Sequence, residues 1–275
     1  MAKRITHLCK WTNPRRHPRT EAGEKIMSGK QWFEKEDFWL NYGPVMFDEQ
    51  HWAEAHGVAE AIFSIAGLKK GSRILDAGCG PGRISVELAL LGLDVTGVDI
   101  IQPYLDAAKE TADDEGVSVT LLNQDLRTFA TEKKFDAAIN VFTSFGYCET
   151  KDEDLMIVRR IFDSLRDGGT FILECVSREI AVQYYTDGEW FERAEMTVLT
   201  DFGVVGAWEG LRSRWILIDK NGKRLEHEFV QRLYSAPDLR DELKRIGFSS
   251  VDVYGGFGLS PYDHSAKTMV LVAKK

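Results

Sequence analysis

A chain of 275 residues with 44% hydrophobic content can bury one large α/β domain with an elaboration, or two modest domains. Its net charge of −8 argues against a broad nucleic-acid footprint, which needs clustered cations. The scattered cysteines Cys9, Cys79, Cys148 and Cys175 form no Cys-x-x-Cys pair, and no run approaches the roughly 20 apolar residues of a membrane span, so the reading is of free thiols, no zinc site, no membrane and a cytoplasmic protein.

Residues 1–30 form a basic N-terminal extension: the first twenty hold six Lys or Arg and no acid. A solvated arm on an acidic body explains this better than an organelle address, given Pro14 and Pro18 and no serine before them. His7, Cys9 and His17 lack ligand spacing, and no metal is expected here or elsewhere. Residues 31–275 read as the main domain. It opens on crowded aromatics, Trp32, Phe33, Phe38, Trp39 and Tyr42, which Gly43-Pro44 is expected to break off. Asp48 suits an N-cap for a helix from Glu49 to Ala66, stopped by Gly67.

Ser72 to Ile101 organises the chain. The short apolar run Ile74-Leu75 ends in Asp76, followed by Gly78, Gly80 and Gly82 at alternate positions. Ile84, Leu88 and Leu91 then recur at helical spacing, and a second apolar run, Val95 to Val98, ends in Asp99. This is a βαβ unit with a ligand loop after its first strand. Glycines there let a ligand approach the backbone, and Asp99 can accept hydrogen bonds from two ribose hydroxyls. A nicotinamide dinucleotide fits less well. Gly80 to Gly82 is one residue short of the Gly-x-Gly-x-x-Gly fingerprint, and Asp76 puts negative charge where a pyrophosphate would lie.

Further along, a helix is expected from Pro103 to Gly116, then strands Val117–Leu122 and Phe135–Phe142. A helix from about Asp152 leads through Asp167-Gly168-Gly169, read as a turn, into a fifth strand Thr170–Val176. Residues 177–234 are extra: runs Glu189–Thr200, Trp208–Asp219 and Arg224–Tyr234, with a hairpin signal at Asn221-Gly222. This β-rich insertion would cover the ligand edge as a lid, or serve packing or a homodimer. A short helix near Asp238–Ile246 and strands Phe248–Tyr254 and Thr268–Ala273 close the chain. The loop between those strands should emerge on the ligand side, carrying Phe257, Tyr262, Asp263 and His264.

Acid-x-Gly-x-Gly-x-Gly over Asp76 to Gly82, with Asp99 after the second strand, resembles motif I of the class I S-adenosylmethionine-dependent methyltransferases. The resemblance spans about Trp39 to Lys275 and is densest over residues 72–142. It implies a doubly wound, seven-stranded, mostly parallel sheet whose final strand is antiparallel, the Rossmann-like methyltransferase fold, with S-adenosyl-L-methionine as cofactor. Carried over residue by residue, it implies cofactor contacts from Asp76, Gly78, Gly80, Asp99 and Ile100. Asp125 and Leu126 would flank adenine, and Asn140 and Phe142 would lie by the methionine part. A leading segment with Trp39 and Tyr42 would cover the cofactor. The Asn/Asp-Pro-Pro-Tyr motif of enzymes that methylate adenine or glutamine is absent, because Asn140-Val141-Phe142-Thr143 stands there. The expected acceptor is therefore a small molecule, methylated on N or O. Tyr147, Tyr262 and His264 are candidates for a catalytic role. A non-catalytic adenosylmethionine-binding protein and an NAD(P)-dependent oxidoreductase are the alternatives.

Overall fold

The computed structural model describes residues 31–47, 52–142 and 144–275. The basic extension, His7, Cys9, His17, the expected cap Asp48 and Thr143 lie outside the described residues. A 3₁₀ turn, Trp32–Glu34, leads into helix α1 (Glu36–Met46), and α2 (Ala55–Ile65) follows. The βαβ unit is β1 (Arg73–Ala77), α3 (Arg83–Leu90) and β2 (Asp94–Asp99). Then come α4 (Gln102–Asp114), β3 (Val119–Asn123), β4 (Phe135–Asn140), α5 (Lys151–Ser164) and β5 (Leu165–Cys175). Helix α6 (Arg178–Gln183) enters the insertion, made of β6 (Gly188–Arg193), β7 (Met196–Val205), β8 (Gly210–Asp219) and β9 (Arg224–Arg232). Helix α7 (Ala236–Ile246), β10 (Ser250–Tyr254) and β11 (Met269–Lys274) complete the chain.

The seven strands of the main sheet lie in the order β10-β11-β5-β4-β1-β2-β3, with β11 antiparallel to both neighbours and the remaining pairs parallel. Both faces are buried, so neighbours along a strand serve opposite cores. Ile74, Ala137, Ile139, Ile172 and Val270 face the core under α2, α3 and α4. Leu75, Ala138, Phe171, Leu173 and Leu271 face the core under α5 and α7. This is the doubly wound α/β fold that the motif implies.

The insertion forms its own antiparallel sheet, β6-β7-β8-β9, after β5. One face packs on α1: Phe38, Tyr42 and Val45 share a third core with Val198 and Leu217. That packing corrects the expected break at Gly43-Pro44. The helix runs through Pro44 to Met46. A proline inside a helix costs about 3 kcal/mol, and burial of α1 against the sheet offsets it. The run Glu189–Thr200 is likewise two strands, not one. Ala194 and Glu195, at φ +50° and +57°, turn the chain between Arg193 and Met196. Such a two-residue turn ordinarily announces itself by glycine or asparagine, and here neither is present. The glycines at 168 and 169 sit within β5 as a bulge rather than before it: Leu165 pairs with Phe135 and Thr170 with Ala137.

Candidate active site

The carboxyl ends of β1 to β5 open into a cavity of about 610 Å³. Its floor is the glycine turn. Gly78 has φ +84°, and a Cβ there would lie 3.0 Å from Ser144 Cβ, so the turn and the loop leaving β4 pack backbone to side chain. Gly82 has φ +81° and presses on Ala108 of α4, where a Cβ would meet another at 2.5 Å. Both positions need glycine for conformation and for space.

Two carboxylates flank this turn, Asp76 buried and Asp99 partly exposed. Asp76 accepts the Ser85 hydroxyl at 2.6 Å. Burial pushes its carboxyl up to about 6, the Ser85 bond opposes this, and the charge of Asp99 adds to it. Asp99 Oδ2 accepts the Gly80 N–H at 2.8 Å and Oδ1 the Ile101 N–H at 2.9 Å. Burial raises its carboxyl too, against those backbone bonds. A carboxylate has about four acceptor sites, so Asp99 keeps lone pairs for hydroxyls. The Gly80 amide, in contrast, is committed to a carboxylate of the protein itself. A pyrophosphate site would need that amide free and the charges reversed. A group with ribose hydroxyls and a positive charge fits these residues.

The loop after β3 is tied down by ions. Arg127 binds Asp125 through its own N–H at 2.8 Å and through its guanidinium, and the same guanidinium reaches Glu34 of the leading turn. Burial pushes the Asp125 carboxyl up, but the Arg127 bonds outweigh this and hold it below the ordinary range. Leu126 lines the cavity next to it, as does Ile100 beside Asp99. Trp39 reaches the cavity from α1, pinned by the Tyr104 hydroxyl, which donates to its carbonyl at 2.8 Å.

Asp76, Gly78, Gly80, Asp99, Ile100, Asp125, Leu126, Phe142, Trp39 and Tyr147 thus meet around one cavity. Tyr42, Asn140, Tyr262 and His264 do not line it. Tyr42 is buried in the third core, its hydroxyl donating to the Trp215 carbonyl at 3.1 Å. Asn140 is fully buried under the turn: Nδ2 donates to the Ala77 carbonyl at 2.6 Å, and Oδ1 has no partner. Tyr262 is drawn off by Ser177, at 2.5 Å, and by Glu179 at the start of α6. His264 is exposed, and its carbonyl accepts from Gln183. The loop between β10 and β11 folds onto α6 because these polar partners stand there.

Residues not singled out by sequence close the cavity. From the insertion come Leu211, Ser213 and Trp215 on β8, with Phe229 and Gln231 on β9. Register pairs Leu211 with Gln231 and Ser213 with Phe229, so all five share a face. Alternation is visible in the sequence over Leu225, His227, Phe229, Gln231 and Leu233, but not which face meets the cavity. Trp32 stacks on Phe229 with ring centroids 4.4 Å apart, and Tyr147 stands edge-on to Trp32 at 4.8 Å. Asp154 of α5, fully buried, joins the two sheets. It accepts the Tyr234 hydroxyl at 2.8 Å, Arg232 Nη1 at 3.0 Å and the Cys148 N–H at 3.1 Å. Glu174, at the end of β5, completes the wall. Among the described residues no group of His, Cys, Asp and Glu could hold a metal ion, and no helix is long and apolar enough to cross a membrane.

A family model described as a methyltransferase domain matches residues 74–169, which run from β1 into β5. A protein of Geobacillus sp. (strain WCH70) that carries a methyltransferase name is 30% identical over 214 residues, covering 76% of this chain and 87% of its own. Among solved structures, the CcbJ methyltransferase of Streptomyces caelestis superposes with a TM-score of 0.70 at 21% identity, over 79% of this chain and 88% of its own. The sugar N-methyltransferase KedS8 of Streptoalloteichus sp. ATCC 53650 does so with a TM-score of 0.63 at 18% identity, over 94% and 99%.

Proposed function

The chain belongs to the class I S-adenosylmethionine-dependent methyltransferases, and on that premise we propose that it methylates nitrogen or oxygen of a small molecule held between the glycine turn and the β6–β9 sheet. S-adenosylmethionine supplies a methyl group already activated on a sulfonium. The protein's share is then alignment of the acceptor and exclusion of water. Asp99 and Ile100 would hold the ribose side, Leu126 the adenine, and Asp76 the cationic end. The acceptor would enter against Trp215, Phe229, Ser213 and Gln231.

The observation that carries this reading is the second sheet, which lines the cavity with Ser213, Trp215, Phe229 and Gln231 and with one cation, Arg193 at the end of β6. Such a wall suits a compact, partly apolar acceptor and offers no cationic track for a nucleic-acid backbone. The likeness to a sugar N-methyltransferase agrees with it. A hydroxyl acceptor needs a base, whereas a neutral amine does not. Tyr147 is the member of the original three candidates that lines the cavity.

The test is turnover with S-adenosylmethionine and pooled amines, amino sugars and phenols, read by mass spectrometry as added methyl groups. Methylated product from any pool is the expected result. Tight binding of S-adenosylhomocysteine without product from any pool would favour the non-catalytic alternative.

A further inference from the structure

Phe142 leaves β4 at φ +57°, a left-handed conformation that a bulky side chain holds only when its surroundings enforce it. The Phe142 N–H donates to Glu174 Oε2 at 2.6 Å. The Arg83 guanidinium lies 3.9 Å above the ring, and Phe257 packs beside it at 6.4 Å between centroids. Glu174 is itself buried, between Leu173 and Cys175 on β5 and opposite Val270 of β11. Its second oxygen takes the Thr268 hydroxyl, so the carboxylate is anchored from the residue that precedes β11 while it grips the exit of β4. A buried carboxylate is costly to retain unless it is hydrogen-bonded, and both oxygens of this one accept. The segment it grips continues to Ser144, which packs on Gly78 of the glycine turn.

We infer that Glu174 is a positioning residue for methyl transfer: by accepting the Phe142 N–H it holds the β4 exit in the strained form that shapes the cavity beside the glycine turn. The role in transfer rests on the methyltransferase reading above; the grip on Phe142 does not.

The test is a double-mutant cycle of Glu174→Ala and Phe142→Gly, with Glu174→Gln as a milder variant. The readouts are calorimetric affinity for S-adenosylhomocysteine and amide hydrogen exchange at Phe142 without ligand. Glycine adopts positive φ unaided. Glu174→Ala should therefore weaken affinity about tenfold or more alone, but less than about threefold beside Phe142→Gly. Glu174→Gln keeps an acceptor oxygen and should stay within about threefold of the parent, with Phe142 still protected. Equal losses in both backgrounds, or unchanged exchange at Phe142 in Glu174→Ala, would overturn the inference. If Glu174→Ala does not fold, Glu174→Leu, which keeps bulk without an acceptor, takes its place in the cycle: lost protection at Phe142 supports the grip and retained protection overturns it. Should the parent protein not bind S-adenosylhomocysteine, the methyltransferase reading fails, while exchange at Phe142 still decides the grip.

Discussion

At the scale of single residues, the site is governed by what already holds each carboxylate. Asp99 is oriented by two backbone N–H groups, so its role does not depend on a flexible side chain finding the ligand. Asp99→Ala removes charge-assisted hydrogen bonds and should weaken S-adenosylhomocysteine binding by about 1.5–3 kcal/mol, measured by calorimetry. Unchanged affinity would remove Asp99 from the ribose site. Asp76 makes a prediction about pH. Its carboxyl is raised from 3.8 to about 6 by burial, so the ligand-free fold favours its neutral form. That contribution to stability is complete below 3.8 and is lost as pH rises through about 6. A cationic ligand group reverses the preference, because only the ionised carboxylate attracts it. Affinity for S-adenosylhomocysteine is therefore expected to fall about tenfold between pH 8 and pH 5. A flat profile would separate Asp76 from the cationic end. Asp125 differs from both, since Arg127 already occupies much of its hydrogen-bonding capacity and holds it ionised.

Elements of the fold divide the labour between the two sheets. The main sheet supplies the glycine turn and the carboxylates, whereas the inserted sheet supplies an aromatic wall and shares its core with α1. Excising residues 178–234 would therefore bare Phe38, Tyr42 and Val45, and a point substitution tests the lid more cleanly. Trp215→Ala should lower kcat/KM for the acceptor about tenfold or more while leaving S-adenosylhomocysteine affinity within about tenfold. Loss of cofactor binding of the same size as the loss of turnover would show that the second sheet closes over the adenosine instead. The seam between the sheets is Asp154. Removing its carboxylate leaves the Tyr234 hydroxyl and the Cys148 N–H without their acceptor and breaks the ion pair to Arg232, whose guanidinium keeps the Cys148 and Glu149 carbonyls. Asp154→Ala should cost about 2–4 kcal/mol of stability, from two buried donors left without an acceptor, read by denaturant unfolding. A cost below about 1 kcal/mol would mean that the seam relaxes around other partners.

For the whole molecule, the expected signature is selective stabilisation by one nucleoside ligand. At a hundred times its dissociation constant, S-adenosylhomocysteine adds about 2.7 kcal/mol, which corresponds to a rise in Tm of roughly 5–10 °C for a chain of this size. NADH should leave Tm unchanged and its own fluorescence unquenched, because the Gly80 amide faces Asp99 and not an open phosphate site. A shift with NADH and none with S-adenosylhomocysteine would reverse the reading of the glycine turn. That turn was legible from sequence because its information is local. Alternate glycines, a carboxylate at each strand end and a helix between them lie within Asp76 to Asp99, and strand direction alone brings them to one edge. The doubly wound sheet was expected from the resemblance that the turn carries, and neighbours such as Ile74 and Leu75 do serve opposite cores. Tertiary structure alone decided what depends on distant partners. Pro44 stays helical because the inserted sheet covers α1, and Tyr262 and His264 leave the cavity because Ser177, Glu179 and Gln183 hold their loop. Trp215, Phe229 and Glu174 join the cavity through strand register and sheet docking, which connect residues far apart in the chain and leave no mark on the local pattern of any of them.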